Sequence, residues 1–248
     1  MIHKCINIDS IKWLQNYDEE KFADLVFADP PFNIGWEYDT IHDKLPEDDF
    51  VAWLKTWISL CIDRVMKPQA QIVICMGDEY VSDLDMICRK ELKLHRQNWI
   101  IWHYGFGQSG TLDSRKRFTR SKTHLLRYSL HKSKFTFNGG DIAVPSDRLK
   151  KYADNRADPR GKCPDDVLIY NRIAGTHKSR VKGISTQMPV EMVSKLIRGL
   201  TNPGDCVYDP FPGSGVVLKS CIGAGRSCIA TEISKAYYGL ITEWLSSR

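Results

Sequence analysis

The stretch Cys206-Val207-Tyr208-Asp209-Pro210-Phe211-Pro212-Gly213-Ser214-Gly215 decides the reading of the fold. A short apolar strand pattern halts at an Asp, and a turn built from Pro and Gly leads into a helical pattern over 214–224. A second stretch has the same shape: Asp24-Leu25-Val26-Phe27-Ala28 runs into Asp29-Pro30-Pro31-Phe32. Around both, strand and helix patterns alternate. Strands are expected at 4–8, 24–28, 71–75, 99–102, 125–130, 206–208 and 227–231. Helices are expected at 10–17, 47–66, 80–91, 190–200, 214–224 and 234–246. That rhythm predicts an α/β protein with a doubly wound, mostly parallel sheet. Residues 138–185 break it. They are turn-rich and basic, and are expected to form a small inserted lobe between residues 1–137 and 186–248 of one domain.

The composition excludes several classes. Of 248 residues, 42% are hydrophobic and 26% charged, too apolar for a disordered chain. No apolar run approaches the about 18 residues of a membrane span. The start, Met1-Ile2-His3-Lys4-Cys5, lacks the features of an export signal, so the chain is expected in the cytoplasm, its eight cysteines as thiols. No cysteines stand as C-x-x-C, and no metal is expected. His103, His124 and His131 read as structural, since nothing in the sequence pairs them with carboxylates. The net charge of +5 is uneven: residues 111–185 hold 18 Lys and Arg against 7 Asp and Glu, and the rest hold 17 against 23. A basic segment on an acidic body suits a nucleic-acid phosphate backbone; a solvated face without a partner is the alternative.

In open α/β sheets ligands bind beyond the carboxyl ends of the strands, where both Asp-Pro turns fall. Gly213 and Gly215 allow close backbone approach to a ligand, and Ser214 is expected to cap the next helix. No Lys follows the glycines, so this is not a phosphate-binding P-loop. Glu232 ends the next strand, 17 residues past Gly215, where a carboxylate can take both hydroxyls of a ribose. A nucleoside ligand without a pyrophosphate fits; a plain turn with a solvated Glu232 fits the spacing equally. In the other turn, Pro30 and Pro31 have no N–H, so Asp29 and the turn carbonyls form an acceptor-only cluster beside the Phe32 ring. That suits an exocyclic amino group on a planar base, stacked on the ring at a gain of about 1–3 kcal/mol. A sharp turn with Phe32 in the core and Asp29 as a helix cap is the alternative.

With these residues in place, the chain resembles the amino-DNA methyltransferases that modify adenine N6 or cytosine N4, in the permuted order of the β class. Asp29-Pro30-Pro31-Phe32 is similar to their catalytic motif and Asp209 to Gly215 to their cofactor motif, with the basic segment between. Trp102 to Gly107, Phe118 to Asn138, Arg172-Ile173-Ala174-Gly175-Thr176 and Gln187-Met188-Pro189 extend the likeness. The resemblance implies a Rossmann-like methyltransferase sheet, S-adenosylmethionine as cofactor and double-stranded DNA as partner. It implies that Asp29 and the Pro30 carbonyl hold the target amino group, with Pro31 stiffening the turn and Phe32 stacking on a flipped base. Asp29, Asp209, Phe211, Gly213, Ser214 and Gly215 would line the cofactor, Glu232 would hold its ribose, and Thr186, Gln187 and Pro189 its methionine part. Asp9 would reach the adenine, or simply cap a helix. Many relatives carry His and Pro where this chain has Ile184-Ser185.

The resemblance also implies adenine N6 as the target, because Asp opens the catalytic motif. Cytosine N4, or a DNA-binding relative without activity, are the alternatives. Lys116, Arg117, Arg120, Arg148, Lys150, Lys151, Arg172, Lys178 and Arg180 are the candidate DNA contacts, most of them to phosphate. A homodimer and a cognate restriction endonuclease are the further partners such a chain could have.

Overall fold

The computed structural model of the chain describes residues 1–40, 43–105, 116, 118–152, 154–173, 177–181, 183–184 and 186–248. In chain order the elements are β1 (His3–Asn7), α1 (Ser10–Asn16), β2 (Ala23–Ala28), α2 (Glu47–Leu60), β3 (Met66–Met76), α3 (Val81–Met86), β4 (His95–His103), β5 (Lys122–Ser129), α4 (Asp147–Lys150), β6 (Val167–Ile169), α5 (Val190–Leu200), β7 (Cys206–Asp209), α6 (Val216–Ala224), β8 (Ser227–Glu232) and α7 (Lys235–Ser246). Helices α2 and α3 each close in a wider π turn, Cys61–Val65 and Ile87–Glu91.

The strands form one sheet in the order β1-β8-β7-β2-β3-β5-β4-β6. Among the described strands β5 alone runs against the others, pairing antiparallel with β3 and β4. Both faces are covered, as a largely parallel sheet requires. Alternate residues of β2 show the division: Leu25 and Phe27 join a core with Met192, Leu196, Val217 and Ile241 of α5–α7. Val26 and Ala28 join a second core with Leu14, Leu54, Trp57 and Leu84 of α1–α3. Each large side chain shut off in these layers contributes about 1.5–3 kcal/mol.

Neighbouring strands β7 and β2 part company at their ends. From β7 the chain returns through α6 to β8; from β2 it returns through α2 to β3, on the opposite side. That divergence opens a crevice beyond their carboxyl ends. Register is held by Leu25 beside Val207 and Val26 beside Tyr208. At the opposite end, Asp24 Oδ2 accepts from the Cys206 N–H at 2.9 Å and pairs with Lys67 at 2.9 Å.

The structure departs from the sequence pattern in three places. β3 and β4 extend well upstream of 71–75 and 99–102, because Lys67, Pro68 and Gln69 in β3 and His95 to Asn98 in β4 interrupt the apolar pattern within long strands. The basic stretch 138–185 contributes β6, which pairs parallel with β4 through Ile101 and Val167; three residues are too few to show a period. Helix α6 begins at Val216, with Gly215 at its cap in the left-handed conformation and no side-chain cap bond. The expected Ser214 cap is therefore replaced: its carbonyl instead accepts from Lys219 Nζ at 2.9 Å. Among the described residues no helix is long and apolar enough to cross a membrane.

Candidate active site

Both Asp-Pro turns open onto one cavity of about 570 Å³, a size suited to a small-molecule ligand. Asp29, Pro30, Pro31 and Phe32 line one side; Asp209, Phe211, Gly213 and Ser214 line the other. Asp9, Thr186, Gln187 and Glu232 also face it, whereas Pro189 and Gly215 stand behind the lining. Pro189 caps α5, and Gly215 packs so tightly that a Cβ there would meet Ile241 Cγ1 at 3.1 Å. Gly213 has φ +47° and nothing within 4 Å of where its Cβ would lie, so its glycine keeps both a left-handed turn and open space for a ligand.

The glycine turn is built on polar contacts. Asp209 Oδ1 accepts from the Phe211 N–H at 3.0 Å. Glu232 Oε2 accepts from the Gly213 N–H at 3.1 Å and Oε1 from the Ser234 N–H at 2.8 Å. A carboxylate offers about four lone-pair sites, so Glu232 keeps acceptor capacity for two hydroxyls. From Tyr208 Oη a hydroxyl chain runs through Thr231 Oγ1 (2.9 Å) and Ser10 Oγ (3.0 Å) to the Pro210 carbonyl, fixing the turn from below. Phe211 lies 5.2 Å from the Trp57 ring, edge on, and 5.6 Å from Trp53.

The acceptor turn is held by a residue that the sequence did not flag. Asn33 adopts φ 59°, which Asn tolerates better than most side chains. Its N–H donates to Asp43 Oδ1 at 2.7 Å, and its Oδ1 accepts from the Leu45 N–H at 2.6 Å. The Asn that follows the motif was the available signal. Tyr38, Trp36 and Trp53 add aromatic surface to the cavity, also unforeseen.

Electrostatically the cavity is unbalanced. Burial pushes the Asp29 carboxyl up to about 7. Burial, then the charges of Glu232 and Asp29, holds Asp209 well above the usual carboxylate range. Glu232 is pushed up to about 6 by burial, with Asp39 adding to it. Among the described residues no Lys or Arg forms an ion pair with any of the three. The Oδ2 atom of Asp209 is buried and has no hydrogen-bond partner. Such a set favours a cationic ligand with hydroxyl donors. S-adenosylmethionine, with its sulfonium, ammonium and ribose hydroxyls, meets that demand.

The remaining candidates divide. Asp9 Oδ1 caps α1, accepting from the Lys12 N–H at 2.9 Å, while the residue stays at the cavity edge. The Gln187 amide is committed at both ends, accepting from the Val181 N–H at 3.0 Å and donating to the Ser179 carbonyl at 2.8 Å. Arg120 and Arg172 reach the cavity wall. Arg120 pairs with Glu79 at 2.5 Å and Asp78 at 3.2 Å; Arg172 lies over the Tyr104 ring at 4.9 Å. Away from the cavity, Arg148 pairs with Asp154 and Lys151 with Asp147. Lys150 ends α4, and Lys116, Lys178 and Arg180 are exposed. Arg117 lies outside the described residues. His124 does have a carboxylate partner: its Nε2 lies 2.6 Å from Asp78 Oδ1, and Trp99 Nε1 donates to its Nδ1 at 2.8 Å. The separation of 46 positions between His124 and Asp78 hid that pair.

A doubly wound sheet with an acceptor turn facing a glycine turn across its switch point defines a Rossmann-like methyltransferase. The chain belongs to the DNA methylase family, whose model matches residues 23–243, and it is a DNA methyltransferase. The Type II methyltransferase M.HpaI of Haemophilus parainfluenzae is 33% identical over 247 residues, covering 100% of this chain and 75% of that protein. The DNA adenine methyltransferase YhdJ of Escherichia coli (strain K12) is 30% identical over 239 residues, covering 94% and 79%. Two solved structures share the fold. The M1.HpyAVI–SAM complex has a TM-score of 0.68 at 21% identity, over 99% of each chain. PvuII DNA methyltransferase (cytosine-N4-specific) has a TM-score of 0.73 at 17% identity, over 96% of this chain and 84% of that one.

Proposed function

We propose that this protein methylates the exocyclic N6 of an adenine flipped out of double-stranded DNA, at a specific site. The observation that carries the reading is the shared cavity: an acceptor-only turn at Asp29-Pro30 faces the glycine turn and Glu232 across one space. When bound, S-adenosylmethionine supplies an electrophilic methyl group. Glu232 would hold its ribose, Gly213 and Ser214 its flank, and Asp209, Thr186 and the Gln187 backbone the amino-acid end, with Asp9 at the adenine.

The chain's own groups act on the base. The nitrogen lone pair of an aromatic amine is delocalised into the ring and is a poor nucleophile. Asp29 and the Pro30 carbonyl accept its two N–H bonds and draw the nitrogen toward tetrahedral geometry. Positive charge then grows on that nitrogen beside a carboxylate already in place, which stabilises it without reorganisation. Asp29 is also the acceptor nearest the proton that the nitrogen must finally lose. Phe32 offers its face to the base, whose extrusion costs a few kcal/mol.

Residues 138–185 supply the target-recognition insertion in this reading, with Arg120 and Arg172 beside the flipped nucleotide. The YhdJ likeness favours adenine. The same acceptors would take the amino group of cytosine, so base identity is the first thing to measure. Sequencing modified bases in DNA from cells expressing the chain should show N6-methyladenine at one recurring sequence. N4-methylcytosine would replace the base assignment, and no modified base would overturn the reading. We place the protein in the cytoplasm with the DNA. A restriction endonuclease of the same specificity and a homodimer are proposals that site mapping and sedimentation would test.

A further inference from the structure

Two cations line the acidic cavity without neutralising it. Arg120 and Lys122 share its wall with Asp29, Asp209 and Glu232. Long, flexible cations are drawn to unmatched carboxylates, yet both are held elsewhere, by the residues that follow β3. Glu79 takes the Arg120 guanidinium with both oxygens, Oε1 at 2.5 Å and Oε2 at 3.2 Å, and Asp78 Oδ2 lies 3.2 Å from its Nε. Asp78 Oδ1 accepts from Lys122 Nζ. The same carboxylate is braced from within the sheet. Trp99 Nε1 donates to His124 Nδ1 at 2.8 Å, so the proton of the neutral ring sits on Nε2, which donates to Asp78 Oδ1 at 2.6 Å. Gly77 sets the cluster against the base-binding side. A Cβ there would lie 2.9 Å from Glu79 Oε2 and 3.3 Å from Phe32 Cδ2, so ring and ion pair flank it with no side chain between.

We propose that Asp78 and Glu79 are positioning residues for the target nucleotide: they fix the Arg120 guanidinium at the cavity wall beside Phe32, where it meets a phosphate of the flipped nucleotide. This role rests on the base-flipping function given above. Its three contacts leave two of the guanidinium's five N–H bonds for a further acceptor. The same grip keeps the cation off Asp29, Asp209 and Glu232, which a cationic cofactor requires. One exposed ion pair would be too weak for this. Here two adjacent carboxylates share one guanidinium, and the His124–Trp99 chain steadies one of them. A carboxylate beside a DNA cleft otherwise repels phosphate, and its removal should tighten binding. A positioning carboxylate has the opposite sign: its removal should weaken productive binding although it makes the cleft more positive.

The test compares the parent with Arg120→Ala, Glu79→Ala, the double variant and Asp78→Asn. Single-turnover methyl transfer from labelled S-adenosylmethionine is measured below DNA saturation, on a duplex carrying the mapped methylation site. Base extrusion is followed by the fluorescence of 2-aminopurine placed at or beside the target base. Arg120→Ala and Glu79→Ala should each lower the rate about 5- to 10-fold, the worth of a charge-assisted hydrogen bond. The double variant should stay within about twofold of Arg120→Ala, because Glu79 acts through that side chain. Asp78→Asn, in which the guanidinium loses its second carboxylate, should also fall below the parent. A rate at or above the parent's in Glu79→Ala or Asp78→Asn would overturn the proposal, as would a double variant that returns toward the parent, the pattern of a merely repelling charge. Losses that add in the double variant would overturn it too, since they mark separate roles or a damaged fold. If the parent binds DNA with no rise in fluorescence, base flipping fails and the positioning role fails with it. A normal rise in the parent with an unchanged Glu79→Ala would remove the positioning role alone.

Discussion

Charged side chains behave in opposite ways at the cavity and in the basic insertion. In the insertion they are exposed and locally matched: Arg148 and Arg156 both pair with Asp154, Arg160 with Asp158, and Lys162 with Asp165. Those arginines hold the Asp154 carboxyl well below its usual range. At the cavity, Asp29, Asp209 and Glu232 are pushed the other way, by burial without an ionic partner among the described residues. Water screens the first set, so no single pair there matters much. The second set has no counter-ion among the described residues, and Asp209 and Glu232 are shut from water as well; a cationic ligand would complete it. Unmatched buried charge, rather than charge density, marks the working end of this molecule.

The comparison is most exposed to failure at Asp29. Replacement by Ala should lower methyl transfer at least about 100-fold and leave S-adenosylmethionine affinity within a few-fold, by calorimetry. Near-normal turnover would break the argument. Next is Glu232→Gln, which should weaken cofactor binding about tenfold or more through the loss of charge-assisted bonds to the ribose. Trp53, on the cavity wall, offers a fluorescence signal.

A pH series sharpens the same contrast. Asp29 protonates below about 7, which removes an acceptor, so the single-turnover rate should rise toward a plateau as pH increases through that value. Stability should move the other way. For a carboxyl raised in the folded state, the native protein binds more protons than the unfolded chain, so ligand-free stability falls as pH rises from the unfolded carboxylate range through the raised values. Thermal melts from acid to neutral pH, with and without S-adenosylmethionine, should show that slope flattened by the ligand. The smallest effect belongs to the insertion: Arg156→Ala should leave the melting temperature within about 2 °C. A larger drop would mean that its surface pairs hold the lobe together.

Much of this site was legible before any coordinates. Asp29 and Asp209 stand at strand ends beside Pro and Gly, and local rules are enough to place them. The contacts of Asn33 and the Asp78–His124 pair were hidden for one shared reason. Their partners lie 10 to 46 residues away along the chain, and no local pattern encodes such a contact. Ser214 misled because a residue suited to a cap was preempted by a glycine, Gly215, already in the left-handed conformation.

The sequence by itself determined the alternation of strands and helices, the two Asp-Pro turns and the acceptor-only character of Asp29-Pro30. These follow from side-chain period and from proline's missing N–H. Only the tertiary structure decided that β7 lies beside β2, that both turns share one cavity, and that three carboxyls gather there without a cationic partner among the described residues. Strand order and desolvation are properties of the packed whole. They arise from which buried faces fit against one another, and no stretch of chain carries them alone.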